Sequence, residues 1–83
     1  MHNIGVSEKL NDILSKLSRK DKNLHEQVLK KMNEIINSED LDHYKNLKYN
    51  LKECKRVHVG HFVLIFQFNK NIDTIFFDDF DHH

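Results

Sequence analysis

Apolar residues recur along this chain at two different periods, and the change between them divides it into a helical half and a sheet half. Leu10, Ile13, Leu14 and Leu17 fall at i, i+3, i+4 and i+7 behind Ser7, a favourable N-cap. They predict an amphipathic helix of about three turns, with Lys9, Asp12 and Lys16 on its wet face. Leu24, Val28, Met32, Ile35 and Ile36 form a second stripe running to about Asn37, and Ser18 to Asp21 reads as the capping box that opens it. Two helices joined by so tight a break form an antiparallel hairpin, and their stripes must cover apolar surface supplied by the other half. Ahead of them, Ile4 and Val6 alternate and suit a short first strand.

Leu41, Tyr44 and Leu47 recur every three residues as anchors of a short connection, with Tyr49 and Asn50 preparing a turn; from Leu51 the period becomes two. Arg56 and His58 then point one way while Val57 and Val59 point the other. After Gly60, residues Phe62, Leu64, Phe66 and Phe68 share one face and His61, Val63, Ile65 and Gln67 share the other. A strand apolar on both faces belongs in the middle of its sheet. Asn69 to Asn71 predict a turn in which asparagine supplies positive φ, and Ile72 to Phe77 a further strand. The expected fold class is α+β: an N-terminal helical hairpin, after a short first strand, packed on a small, mainly antiparallel sheet of three to four strands. Residues 1–83 form a single domain.

Length limits the stability of such a domain. A chain this short buries roughly 60–65% of the surface it exposes when unfolded, so a partner chain or a dimer contact is expected to contribute. The single cysteine, Cys54, excludes an intrachain disulfide framework, fits a reducing cytosol, and reads as a small buried hydrophobe. No signal peptide opens the chain, and the longest apolar run, Phe62–Phe66, is far too short to span a bilayer. A soluble, cytoplasmic protein with no membrane association is expected.

The formal net charge of zero conceals two patches. Lys45, Lys48, Lys52, Lys55 and Arg56 face only Glu53 between His43 and His58, a local +4, whereas four aspartates from Asp73 onward face no Lys or Arg. Lys45, Lys48, Lys52 and Lys55 are either a solvated face or, as their density favours, candidates for phosphate contact with an anionic partner such as RNA. Of the seven histidines, His58 is the most distinctive because it shares a strand face with Arg56; His2 and His25 read as surface residues and His61 as part of a turn. The spacing of Asp78, Asp79, Asp81, His82 and His83 matches no known metal cage, and neither metal nor cofactor is expected. The phenylalanines read as core.

The order helix, helix, HYKNLKYNLKECKRVHVGHFVLIFQFN, short turn, IDTIFFDDFDHH resembles the RelE/ParE superfamily of type II toxin–antitoxin toxins, nearest to its RelE-like branch. The most specific parts are Tyr44-Lys45-Asn46-Leu47, the basic strand Lys55 to Gly60, and a closing strand that ends in a histidine pair. The resemblance implies a ribosome-dependent, metal-independent endoribonuclease, or mRNA interferase, that inhibits translation. Its substrate would be mRNA in the ribosomal decoding site, cut when the ribose 2′-hydroxyl attacks its own phosphate. It also implies a cognate antitoxin that neutralises the toxin, in a heterotetramer or beside a toxin homodimer. Carried over by position, Arg56 and His58 stand where the family keeps two basic residues one apart, and the late family Arg falls at His83, beside His82. Arg56 would hold phosphate with Lys55, while His58, His82 and His83 would exchange protons.

Two departures weigh the other way. Val63 stands where the family usually has Arg, and a terminal Tyr carried by many relatives has no counterpart. The alternative is therefore a non-catalytic binding module, either a degenerate toxin that only pairs with its antitoxin or a ParE-like topoisomerase inhibitor.

Overall fold

A computed structural model describes residues 2–41 and 54–82. The anticipated connection through Tyr44 and Leu47, together with Lys45, Lys48, Lys52 and His83, lies outside the described residues. The elements run β1 (Asn3–Val6), α1 (Glu8–Lys20), α2 (Lys22–Ile36), β2 (Cys54–Val59), β3 (Phe62–Asn69) and β4 (Thr74–His82). The described strands form one sheet in the order β1-β4-β3-β2, antiparallel except for the parallel pair of β1 with β4. The helical hairpin covers one face, so the expected α+β architecture is the one observed.

Local chemistry accounts for the helices. Ser7 is extended, and its hydroxyl accepts from the Leu10 N–H, closing the first turn of α1. Between the helices a single residue, Asp21, serves both ends: its N–H donates to the Leu17 carbonyl and its carboxylate accepts from the Leu24 N–H. The expected box starting at Ser18 is thus displaced. Ser18 stays inside α1, where its hydroxyl donates to the Ser15 carbonyl, because Arg19 and Lys20 are good helix formers that carry the helix on to Asp21.

The apolar stripes close the core as their spacing requires. Leu10, Val28, Met32 and Ile35 pack against Val59, Leu64, Phe66, Ile75, Phe77 and Phe80, and Leu41 completes the cluster. Side chains such as Phe66 and Phe77, with no exposed surface, each contribute about 1.5–3 kcal/mol of burial.

The final strand departs from the expected Ile72–Phe77 at both ends. Lys70 to Asp73 form the turn, held by Asp73 N–H to Lys70 C=O and Asn71 N–H to the Asn69 side chain; positive φ falls on Asp73 (48°) rather than on an asparagine. At the other end the strand runs on through the aspartates to His82, because β3 pairs with it as far as Phe62. Ile65 pairs with Asp79 and Phe66 with Phe77, so Asp78 is an extra residue, a β-bulge. The bulge lets Phe77 and Phe80 both enter the core despite their odd separation. Ser7 secures it, its N–H donating to the Phe77 carbonyl and its hydroxyl to the Asp78 carbonyl.

Two glycines are required by geometry. Gly60 has φ 61° as the first of two residues joining β2 to β3, the position that a type II′ turn reserves for glycine. At Gly5 a Cβ would lie 2.9 Å from the Phe76 ring, so the parallel β1–β4 pair depends on its absence.

Candidate functional site

Directly paired residues share a sheet face, so the register assigns each candidate to a side. Cys54, Arg56 and His58 pair with Gln67, Ile65 and Val63, on the face opposite the helices. The next strand continues the rows: Ile65 meets Asp79, and Val63 meets Asp81. Two parallel rows result, Arg56–Ile65–Asp79 and His58–Val63–Asp81, each cationic or titratable at the sheet edge, apolar in the middle and acidic beyond. With strands about 4.8 Å apart, the backbones of the basic and acidic columns are roughly 10 Å apart. The carboxylates have nearer partners. Lys9 at the start of α1 pairs with Asp79 at 3.0 Å, which raises the lysine pKa, and the other Asp79 oxygen accepts from the Phe80 N–H. Asp81 accepts from the His82 N–H at 2.8 Å.

Arg56 is half-buried and His58 is exposed. Val63, only 8% exposed, is the residue beside His58. Cys54 is buried on the same face.

Of the other candidates, the two among the described residues, His82 and Lys55, are turned to the other face of the sheet. His82 pairs with Phe62, on the helix side of the sheet, where its ring stands edge-on to Phe62 at 5.1 Å. Lys55 also falls on the helix side, opposite Phe66, and is 6% exposed. Among the described residues no group of three His, Cys, Asp or Glu is arranged to hold a metal ion, and no helix is long and apolar enough to cross a membrane.

Two features depend on distant partners that no local pattern identifies. The first is a groove of about 260 Å³ between α2 and the edge of β2, lined by Gln27, Lys30, Lys31, Glu34, His58, Val59 and Gly60. In it the Lys31 ammonium bonds Glu34 at 2.8 Å, and this bond, with the charges of Lys31 and Lys30, lowers the Glu34 pKa. Adjacent lysines flanking the Val28–Met32 stripe were the available hint. The second is His2, which bonds the Asp73 carboxylate and the Ser38 carbonyl and stands edge-on to Phe68. Its partners are 71 and 36 residues away, beyond any local pattern.

No family model matches the chain. A protein of Methanocaldococcus jannaschii described as "Putative toxin RelE4" is 45% identical over 84 aligned positions, covering 100% of this chain and 87% of the relative. Among solved structures, a chain of the intact E. coli RelBE toxin–antitoxin complex matches with a TM-score of 0.78 at 18% identity, covering 100% of this chain and 98% of that one. A metal-bound toxin from Helicobacter pylori matches with a TM-score of 0.79 at 24% identity, covering 100% and 96%. At these identities the two solved structures speak for the fold alone.

Proposed function

The chain belongs to the RelE-like toxin family, and from that premise we propose that it is the toxin of a type II toxin–antitoxin system, a ribosome-dependent endoribonuclease neutralised by a cognate antitoxin. The observation that carries this reading is the placing of Arg56 and His58 two residues apart on one face of β2, the face opposite the helices. In the proposed reaction a base takes the proton of a ribose 2′-hydroxyl and the freed oxygen attacks the adjacent phosphorus. The 5′-oxygen then leaves with a proton, yielding a 2′,3′-cyclic phosphate and a 5′-hydroxyl without a metal. His58 exchanges one of these protons, and Arg56 neutralises the charge that builds on the phosphate. The second proton carrier is assigned to His83 rather than His82, whose register turns it to the other face. Lys45, Lys48 and Lys52 would track the RNA backbone, while Lys55, buried beside the core, would support the strand. The substrate is mRNA in the decoding site, and the site of action is the cytoplasm. One similar chain was crystallised with its antitoxin, which supports an antitoxin as the protein partner here.

The test is in vitro translation with mapping of mRNA 5′ ends. Purified protein is expected to produce new ends only on translated message, and Arg56→Ala or His58→Ala to reduce cleavage by about 100-fold or more. Full activity in both variants would remove their roles. A second reading, a non-catalytic binding module, is favoured by the row beside His58, where Val63 and then Asp81 follow instead of a second cation. Growth arrest with intact mRNA would select it.

A further inference from the structure

We propose that the groove between α2 and the edge of β2 binds the sugar-phosphate backbone of single-stranded RNA, so that the strand engaged by Arg56 wraps round that edge. The identity of the strand rests on the nuclease reading; the site itself rests on the groove. Lys30 and Lys31 supply two ammonium groups against one carboxylate, Glu34, and His58 belongs to both the groove and the row beside Arg56. Among the described strands β2 ends the sheet, so none of them separates the two regions. At the turn Gly60 carries no side chain, and a Cβ built there would meet nothing within 4 Å, which leaves the rim open to a ribose and its phosphate. Gln27 adds a neutral donor and acceptor. Lys31 is held by Glu34 at 2.8 Å, so binding a phosphate there exchanges one anion for another rather than ordering a loose side chain.

The experiment measures binding of a short fluorescein-labelled single-stranded 2′-deoxy oligonucleotide, which lacks the attacking hydroxyl, by fluorescence anisotropy over a range of salt. The double variant Lys30→Ala, Lys31→Ala is expected to weaken binding and to flatten the dependence of log K on log salt by roughly 0.7 for each lost phosphate contact. Glu34→Gln is expected to strengthen binding a few-fold at low salt. Lys16→Ala, Lys20→Ala removes equal charge from α1 and is expected to leave the slope unchanged. Equal losses from both double variants would reduce the effect to net charge and overturn the proposal. So would a groove that takes poly-glutamate in preference to the oligonucleotide, which would make it a protein-docking surface. A wild-type chain that cuts no translated mRNA, yet shows the Lys30 and Lys31 dependence, would sink the nuclease reading and leave the groove standing.

Discussion

At the scale of single residues, His2 ties three distant parts of the chain together. Its Nδ1 bonds the Asp73 carboxylate in the β3–β4 turn and its Nε2 reaches the Ser38 carbonyl just past α2. Both partners are acceptors, so both bonds are donated only by the imidazolium; a neutral ring has a single N–H to give. The hydrogen bond to Asp73, then the one to Ser38, raise the His2 pKa above its ordinary 6.5. A folded-state pKa above the unfolded value means that the stabilisation is present in full below about pH 6.5 and is lost as pH rises through the folded value. Thermal melting of the wild type and His2→Gln between about pH 5 and pH 8 checks this. The gap in Tm is expected to be widest at the acid end and to narrow toward the alkaline end; a constant gap would mean that the charged form is not what matters.

At the scale of elements, the bulge at Asp78 decides which side of the sheet the closing residues occupy. Simple alternation from the inward-facing Phe77 would turn Asp79 and Asp81 toward the helices and put His82 on the face of His58; one inserted residue reverses all three. The Ser7 hydroxyl anchors that insertion by donating to the Asp78 carbonyl while accepting from Leu10. Ser7→Asp retains a cap acceptor of similar quality but has no hydroxyl to donate. It is expected to lose about 1 kcal/mol in urea unfolding, as a missing hydrogen bond would; full stability would show that the cap alone matters. This dependence also explains what the sequence could reveal. The helical stripes, the Gly60 turn and the i, i+2 placing of Arg56 and His58 are set by neighbours within a few residues, and all were legible. The bulge depends on Ser7, 71 residues from Asp78, and with it went the extent of β4 and the face of His82. The parallel β1–β4 pair and the Lys30–Lys31 groove likewise exist only once distant elements meet.

At the scale of the whole molecule, a sheet covered by helices on one side places most of its stabilisation there. Neighbouring residues of β3 test this directly, because they face opposite ways. Phe66 has no exposed surface and lies against Phe77 at a ring separation of 6.0 Å, whereas Ile65 is half-buried in the row between Arg56 and Asp79. Phe66→Ala is expected to remove about 3–5 kcal/mol, since it deletes both the buried ring and the contacts round the cavity it leaves. For a domain of this length that is a large part of a total near 0.05–0.15 kcal/mol per residue, so the variant should be partly unfolded without a binding partner. Ile65→Ala removes less buried surface and leaves an open notch rather than a cavity, so its loss should fall at or below about 2 kcal/mol. Urea titration checks both, with the midpoint expected to move far more for Phe66→Ala at a similar slope. Comparable shifts would mean that the face carrying Arg56 and His58 is packed as tightly as the core, and that its residues are held by structure rather than left open for a substrate.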